Sequence, residues 1–391
     1  MINPYWSYVV SFLFALVIYQ LGWSGLYPEL TISLLLFISS TIVINLIFGW
    51  QWKRKEQPRP VPTIKISPVA VTIFLYVLWI MEFVYEGGIP LVKILLRQPY
   101  NYRFFGVPSL HVFNVTFASF FTIFLFHLYL SSHKNKYLIL SLINWAAAIL
   151  IYSRAMFIFI LVAAFFVYLA SGSIKIKFIL WTPLVGIMIL YFFGILGNVR
   201  ESFEAKSKYN PALFLETGGA TDQFRSSWVP KEFFWGYIYI SSPLANLQTN
   251  INTRHVSDKP SVLYQHVNNE IAFDFISKRI NRLLGWEREG ENTITGPFNV
   301  STVYSRSFSY QGWIGIFIMA AFVLVFPWFY CWLLPQGSFT LTGIAILNTM
   351  YLFLVYDNTI RFTGLGFQLI YPVILPFCEK AWMWTREKMS L

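Results

Sequence analysis

The chain has 391 residues, of which 56% are hydrophobic, 20% aromatic and only 12% charged, and its mean hydropathy is +0.56. A soluble globular domain carries about 25% charged residues, so this composition excludes an ordinary soluble domain. The formal net charge of +11 does not indicate nucleic-acid binding, because no basic stripe with interleaved aromatic residues occurs. The two cysteines, Cys331 and Cys378, give neither a disulfide framework nor a metal-binding spacing.

Apolar runs of about 20 residues recur along the chain, and such a run is long enough to cross a hydrocarbon core of roughly 30 Å. We predict about ten transmembrane helices from these runs. Their approximate limits are 7–26, 30–50, 67–85, 109–130, 137–153, 155–172, 178–197, 310–333, 340–356 and 362–378. The predicted fold class is therefore an all-α polytopic membrane protein with a large folded loop between the seventh and eighth spans.

Lysine and arginine concentrate in the loops on one side of the predicted bundle. They occur in loop 51–65, in "SSHKNK" (131–136), in "SIKIK" (173–177) and in the tail after residue 378. Because cytoplasmic loops carry an excess of basic residues, this pattern predicts that both termini are cytoplasmic and that the long loop is periplasmic.

The predicted spans divide the chain into three parts. Residues 1–197 hold seven spans and the short outer loop 86–108, residues 198–309 form the large outer loop, and residues 310–391 hold three spans and the tail. The large loop has 12 Lys or Arg and 11 Asp or Glu. Its apolar content favours a folded cap on the outer membrane surface over disorder. Within it, "YQHVNNEIAFDFISKRINRLLGW" (264–286) predicts one amphipathic helix.

Several arginines lie at or near the outer ends of the spans. Arg154 interrupts the apolar run 146–165 at the tip of a helical hairpin, and Arg200 follows the seventh span beside Asn198. Arginine is always charged and binds phosphate through planar, bidentate hydrogen bonds. We therefore predict that this face holds a lipid diphosphate. The arginines are Arg154, Arg200, Arg254, Arg306 and Arg361, with Arg103 added from loop 86–108.

Simpler interpretations exist for each of these residues. An arginine at the end of a span often reaches the lipid headgroups and has no other role. His255 and Glu201 are the two candidate bases, although a lone histidine is commonly a hydrogen-bonded loop residue. Tyr237, Tyr239 and Trp235 are interpreted either as stacking platforms for sugar rings or as a buried aromatic core.

The remaining charges of the large loop are interpreted as solvated. This group comprises Arg225, Arg279, Arg282, Arg288 and the acidic alternation "EREGE" (287–291). No phosphate-binding glycine loop, nucleophile elbow or His-Glu-x-x-His motif occurs, and neither does an Asp-x-Asp pair. We therefore expect arginines rather than a metal ion to neutralise a bound phosphate.

Six short motifs together resemble those of one known family. They are "EGGIPL" (86–91), "FGVPSLH" (105–111), "IYSRAMF" (151–157), "FGILGNVRES" (193–202), "YIYISSPLANL" (237–247) and "FNVSTVYSRSFSYQGWIGIF" (298–317). In this order the chain resembles the bacterial O-antigen polymerases, also called oligosaccharide repeat-unit polymerases. It departs from them at Tyr310-Gln311-Gly312, where members often have Asp-Phe-Gly.

The resemblance implies an inner-membrane glycosyltransferase without a cofactor, in the membrane-embedded fold shared with O-antigen ligase. It implies that the growing glycan moves from undecaprenyl diphosphate to a repeat unit on a second undecaprenyl diphosphate, at the periplasmic face. A chain-length regulator protein is then an expected partner. On this reading Arg154 and Arg200 hold the donor diphosphate, Arg254 or Arg306 holds the acceptor, and His255 or Glu201 is the base.

Three alternatives remain at this stage. An O-antigen ligase uses the same arginine chemistry with a different acceptor. A lipid-linked oligosaccharide flippase needs cations along a path through the membrane, whereas the cations here concentrate at one face. A small-solute transporter or channel places ionisable residues in the middle of its spans, where this chain has almost none.

Overall fold

The computed structural model describes residues 2–52, 62–96, 98, 100, 105–171, 176–204, 207–254, 256 and 261–389. These residues form helices, and the one β-type pairing among them is an isolated bridge between Ser24 and Ala220. The α-helices are α1 Pro4–Tyr19, α2 Ile32–Gln51, α3 Pro68–Tyr85, α4 Pro90–Leu95, α5 Leu110–Ser132, α6 Asn135–Leu150, α7 Arg154–Ala170, α8 Ile176–Glu204, α9 Ala212–Thr217, α10 Asp222–Ser226, α11 Phe233–Thr253, α12 Val262–His266, α13 Asp274–Leu284, α14 Ser305–Leu333, α15 Thr340–Phe353, α16 Thr363–Gly366 and α17 Ile370–Met389. A π-helix (Val267–Ile271) follows α12, and a 3₁₀-helix (Phe367–Leu369) joins α16 to α17.

Each of the ten predicted spans overlaps a described helix, although the first span is helical only as far as Tyr19 and the eighth has a non-helical backbone at Gln311 and Gly312. Five helical stretches are both long and apolar enough to cross a membrane, namely Ile32–Gln51, Pro68–Tyr85, Leu110–Ser132, Leu184–Phe203 and Ser305–Leu333. The apolar helices α1, α6, α7 and α15 are shorter. The chain is thus an all-helical membrane protein. The tenth predicted span is interrupted, because the 3₁₀-helix separates α16 from α17.

Local sequence signals fix where several of these helices begin. The side chains of Asn3, Thr31, Ser67 and Ser153 each accept a hydrogen bond from a backbone N–H in the first turn of α1, α2, α3 and α7. Such caps satisfy N–H groups that lack a helical partner, which a membrane environment makes costly to leave unpaired. The cap at Ser153 makes Arg154 the first residue of α7.

The predicted surface cap contains a long buried helix. Helix α11 has 21 residues and packs against α1, α8 and α14. Its aromatic first turns join a satellite core with Phe214 and Phe224, and its later turns bury Ser241, Asn246 and Asn250. The large loop is therefore partly built into the helix bundle. The boundary at residue 197 also shifts, because α8 continues to Glu204.

The single amphipathic helix predicted over 264–286 is wrong. The structure divides this stretch into α12, the π-helix and α13, and Ala272 has an extended backbone between the last two. The division turns the polar side chains of the π-helix, Asn268, Asn269 and Glu270, into the protein interior. A π-helix inside an α-helical stretch is frequent at functional sites.

The segment that precedes α14 enters the helix bundle. Tyr304 is fully buried, and its hydroxyl lies 2.7 Å from the hydroxyl of Tyr8 on α1. Tyr8 donates in turn to Thr41 on α2 at 2.9 Å. The amide of Val303 donates to the carbonyl of Leu354, just after α15. Two connections, one before α14 and one after α15, therefore meet inside the bundle.

Short helices make room for these internal connections. Helix α15 has 14 residues, which at 1.5 Å per residue span about 21 Å, less than the roughly 30 Å of a hydrocarbon core. The connection after it stays buried through Asn358, Thr359, Ile360 and Arg361. Polar residues of this connection are thus held inside the protein, close to apolar helices.

Asn246 fastens the segment before α14 onto α11. Its side-chain amide donates to the carbonyls of Phe298 and Val300 at 2.6 and 2.7 Å, and its oxygen accepts from the amide of Ile294 at 2.8 Å. All three partners are backbone groups of a segment without regular structure, so Asn246 supplies hydrogen bonds that secondary structure otherwise provides.

We expect Asn246→Ala to destabilise the protein, since each backbone group left buried without a partner costs about 1–3 kcal/mol. The matched control is Asn135→Ala, at an exposed position at the start of α6. Thermal unfolding of the detergent-solubilised protein measures the difference. Equal melting temperatures for the two variants would contradict this role of Asn246.

Candidate functional site

Arginine and carboxylate side chains from five separate segments form one polar cluster, which we call the arginine–carboxylate centre. The segments are the end of α11, the π-helix and start of α13, residues 285–300, the first turn of α14, and the connection between α15 and α16. Its members are Arg254, Glu270, Asp274, Arg288, Glu289, Glu291, Arg306, Asp357 and Arg361.

The most buried charge of the centre is Glu270. Its side chain is 1% exposed and accepts two hydrogen bonds from Arg288, Nε to Oε1 at 3.0 Å and Nη2 to Oε2 at 3.2 Å. This bidentate geometry is the strongest arrangement for an arginine and a carboxylate. The backbone carbonyl of Glu270 also accepts from the side chain of Asn358, which ties the π-helix to the connection after α15.

Arg306 joins two acidic residues from different parts of the chain. Its guanidinium lies 3.0 Å from Glu291 and 3.3 Å from Asp357. Burial raises the pKa of Glu291, and the positive charge of Arg306 acts in the opposite direction. Arg306 therefore offsets part of the cost of burying this carboxylate.

Arg254 is held against the same segment. It forms an ion pair with Glu289 at 2.5 Å, and the amide of Glu289 donates to the hydroxyl of Tyr310 at 3.0 Å. Asn250 braces this arrangement, because its oxygen accepts from the amide of Asn292 and its amide donates to the carbonyl of Ser305. Segment 285–300 is thus clamped between α11 and α14.

Arg361 differs from the other arginines of the centre. It is only 6% exposed, and no hydrogen bond or ion pair links its guanidinium to any described residue. Burial lowers the pKa of Arg361, while the charges of Glu270 and Asp274 favour the protonated form. Its backbone is fixed by bonds to Asn358 and Asp274. A fixed, buried guanidinium with unused donors is suited to bind an anion.

His266 lies beside the centre on α12. Its ring stacks on Tyr310 with centroids 5.6 Å apart, and Nδ1 lies 3.0 Å from the side-chain oxygen of Gln311. Nε2 is buried and has no hydrogen-bond partner among the described residues. Burial lowers the pKa of His266, and the bond to Gln311 and the charge of Glu270 oppose that shift. A neutral imidazole is therefore favoured here.

The structure brings together only some of the residues predicted from the sequence. Arg306 and Arg361 interact electrostatically within the arginine–carboxylate centre, and Arg254 is paired with Glu289 of segment 285–300. His255 and Arg103 lie outside the described residues, as do residues 53–61 of the basic loop and Lys175.

The two arginines expected to hold the donor diphosphate have separate, local partners. Arg154 is exposed at the start of α7, with its guanidinium 5.5 Å from the ring centroid of Tyr152. Arg200 lies 3.1 Å from Glu201 and 5.5 Å from the ring centroid of Trp235. Their role in substrate binding stays a prediction.

The aromatic residues of α11 serve mainly as a core. Trp235 is buried and donates to Asn198 at 2.7 Å, which fixes α11 against α8. Tyr237 is also buried, and it stacks against Tyr27. Tyr239 is 42% exposed, so among the three predicted stacking residues it is the one with a free face.

Two interpretations from the sequence are corrected. Arg288 is not part of a solvated face, because it pairs with buried Glu270. "EREGE" is not a solvated turn, since Glu289 and Glu291 pair with Arg254 and Arg306. Arg225, Arg279 and Arg282 are exposed as expected.

Glu270, Arg288, Asp357 and His266 were missed as site residues. The sequence contained one signal for them, because the large loop has nearly equal numbers of acidic and basic residues. Ion pairing explains this near equality better than exposure of all these side chains to solvent. Comparisons with family models, with curated proteins and with solved structures gave no match to this chain.

Arg288→Met is expected to destabilise the protein by about 3–5 kcal/mol, because it leaves the buried charge of Glu270 without its partner. The double variant Glu270→Gln/Arg288→Met removes both charges and should recover most of this loss. Arg282→Met, at an exposed position, is the control. Thermal unfolding in detergent measures all three, and a double variant no more stable than Arg288→Met argues against the pair.

The lowered pKa of His266 predicts a pH dependence of stability. In the unfolded chain the pKa of His266 is about 6.5, so below that pH the folded protein binds fewer protons than the unfolded chain does. The stabilisation that is present above this pH is therefore lost as the pH falls through the pKa of the folded protein. We expect His266→Gln to weaken the decline in melting temperature between about pH 7 and pH 5. An unchanged slope in the variant would exclude His266 as its source.

Proposed function

We propose that this protein is a membrane-embedded glycosyltransferase that polymerises O-antigen or a related surface polysaccharide. The growing glycan is transferred from undecaprenyl diphosphate to a repeat unit carried on a second undecaprenyl diphosphate. The six motifs listed above support this class of reaction, and the arginine–carboxylate centre supports a site that binds diphosphate.

The observation that carries the proposal is Arg361. Its guanidinium is buried, is fixed by its backbone, and has no bonded partner within the described residues. Lys would present only a point charge here, whereas Arg presents several N–H donors in one plane to two phosphate oxygens. Arg306 lies in the same electrostatic cluster and adds a second positive charge from α14.

The depth of the site suits a lipid substrate. Helix α15 is shorter than a hydrocarbon core is thick, and Arg361 follows it within a buried connection. A polyprenyl chain in the membrane therefore brings its diphosphate to the level of such a connection without leaving the lipid. A soluble sugar nucleotide gains nothing from this arrangement.

The proposed transfer requires, above all, stabilisation of the negative charge that develops on the leaving diphosphate. A hydroxyl of the acceptor sugar attacks the anomeric carbon of the growing chain, and the bond from that carbon to the diphosphate oxygen breaks. The diphosphate leaves with the electron pair, so negative charge develops on it in the transition state. Preorganised donors in a poorly hydrated site stabilise such charge, and this is usually the largest catalytic term.

The topology belongs to the same proposal. We propose ten spans, both termini in the cytoplasm, and the arginine–carboxylate centre at the periplasmic face of a bacterial inner membrane. The distribution of Lys and Arg between the loops supports this orientation. A chain-length regulator is the proposed protein partner, and the lipid-linked oligosaccharides are the substrates.

The test is a chain-length assay in a bacterial host that makes the matching repeat unit and lacks its own polymerase. We expect the wild-type chain and Arg279→Ala to restore a ladder of glycan lengths, and Arg361→Met to leave single-repeat caps. Removing one donor to the leaving group costs about 10²–10³-fold in rate. The guanidinium of Arg361 has no bonded partner among the described residues, so its replacement leaves none of them unpaired and should spare folding, which membrane abundance checks.

Three other results would change the proposal. If the wild-type protein never extends the glycan beyond one repeat, it is not a polymerase for the repeat unit tested. Restoration of capped lipid A–core in a host lacking its ligase makes ligase the better assignment. A full ladder from Arg154→Ala or Arg200→Ala would show that the residue is not needed for polymerisation, which favours the interpretation that it contacts lipid headgroups.

A further inference from the structure

Helix α13 turns its polar side towards the rest of the protein. Asp274, Ser277 and Asn281 recur at helical spacing, and the first two are buried. The side-chain amide of Asn281 donates to Asn269 at 2.7 Å, and its side-chain oxygen accepts from Asn268 at 2.8 Å. The face of α13 that meets the π-helix is therefore held by hydrogen bonds between polar side chains.

The apolar side of the same helix points away from the protein. Ile276, Ile280, Leu283 and Leu284 recur at the spacing that places side chains on one helix face. Leu283 is 82% exposed, Leu284 is 54% exposed and Ile276 is 38% exposed. A surface helix of a soluble domain turns such a face into the core. In α13 these side chains instead meet whatever surrounds the protein.

A basic stripe runs beside the apolar one. Lys278 and Arg282 are exposed and lie one helical turn apart, and Lys278 also pairs with Asp274 at 3.2 Å. Arg279 is exposed too, although its guanidinium donates to the carbonyl of Phe275 at 2.8 Å. Asp274 is the single acidic residue in the sequence of α13, and it is buried. The outward surface of α13 is therefore basic along one side and apolar along the other.

Helix α13 begins beside the end of an apolar helix. The amide of Asp274 donates to the carbonyl of Arg361 at 3.1 Å, and its carboxylate accepts from the amide of Thr363 at 3.0 Å. Both partners lie between the end of α15 and the first turn of α16, and Phe362 between them is 48% exposed. Trp286 follows the last turn of α13. Tryptophan is enriched where membrane meets water, which is the level that the end of an apolar helix marks.

We propose that α13 lies in the membrane interface and binds anionic lipid headgroups. The apolar stripe inserts among the upper parts of the acyl chains, and Lys278 and Arg282 meet the phosphates. A helix with apolar residues on one side and Lys or Arg on the other is typical of interfacial membrane binding. Because Asp274 and Asn281 fasten α13 to the protein, this contact holds the arginine–carboxylate centre at a fixed level relative to the headgroups. The inference goes beyond the proposed reaction and does not depend on it.

Charge complementarity favours a lipid surface over a second copy of this chain. A symmetric contact between two copies of α13 would bring Lys278 and Arg282 of one copy near the same cations of the other, and like charges repel. Anionic headgroups supply the opposite charge to both residues, while the acyl chains beneath them cover Leu283 and Leu284. One lipid leaflet therefore satisfies both stripes.

The experiment places one fluorescent label on the full-length protein in vesicles of phosphatidylethanolamine and phosphatidylglycerol. Both native cysteines are removed by Cys331→Ala and Cys378→Ala. The label is then attached through Leu283→Cys or, as the matched control on the basic stripe, through Lys278→Cys. Lipids that carry a quencher on the acyl chain should quench the label of Leu283→Cys strongly and that of Lys278→Cys weakly. Iodide in the water should show the reverse order.

The basic stripe is tested by its preference among lipids. Phosphatidylglycerol with a quencher should quench the label of Leu283→Cys more than phosphatidylcholine with the same quencher. Adding Lys278→Gln and Arg282→Gln should lower this preference by up to about fivefold for each cation removed, and added salt should also lower it. Lys134→Gln/Lys136→Gln, at exposed positions between α5 and α6, should leave it unchanged. Melting temperatures in detergent check that each variant folds.

Three results would overturn the inference. Strong quenching of the Leu283→Cys label by iodide and none by lipid would mean that water covers the apolar stripe. Protection from both quenchers would mean that a protein, such as a second copy, covers it. Equal quenching by the two lipids, unchanged by Lys278→Gln/Arg282→Gln, would remove the binding of anionic headgroups. The glycan ladder tests the proposed function separately, so failure of either one leaves the other standing.

Discussion

The pairing of Glu270 with Arg288 is the interaction on which the polar interior depends. A carboxylate that is 1% exposed in an apolar helical protein is tolerated only with a cation in hydrogen-bonding contact. To supply that cation, segment 285–300 must fold back across the π-helix. Once it does so, Glu289 and Glu291 arrive beside Arg254 and Arg306. The ion pairs therefore determine where the large loop enters the bundle.

This arrangement gives the arginines unequal tasks. Arg254, Arg288 and Arg306 are bound to acidic partners, so their positive charges are already balanced within the protein. Arg361 sits in the field of the same acids without bonding to any described one. A site that is close to electrically balanced holds its shape without a ligand. Among the described residues of this site, Arg361 is the buried arginine whose guanidinium makes no bond to another of them, so its donors suit the anion of the proposed substrate.

The sequence predicted the positions of the long apolar helices, because apolar run length is a local property, and every predicted span overlaps a described helix. It predicted less of the interior. Helix α11 was missed because its buried face carries Ser241, Asn246 and Asn250, which lower its apolar signal. Glu270 and Arg288 are 18 positions apart and are separated by part of a π-helix and a backbone turn. No helical spacing in the sequence therefore indicates that they form a pair. Arg306 and Arg361 were predicted to lie on one face because each adjoins a predicted span, and in the structure the two interact electrostatically, whereas their role in binding stays a prediction.

A glycosyl transfer makes two opposite demands, and they are hard to meet in one cluster. The leaving diphosphate needs fixed positive charge nearby. A base for the attacking hydroxyl instead accepts a proton more readily where negative charge prevails. His266 lies beside the arginines, but its buried Nε2 faces the protein interior and its pKa is lowered, which weakens it as a base. His111 is paired with the carboxylate of Glu82 instead, on the side of α5 that packs against α3. The structure thus holds its buried arginines and its carboxylate-paired histidine in separate parts of the fold, so each keeps its own electrostatic environment.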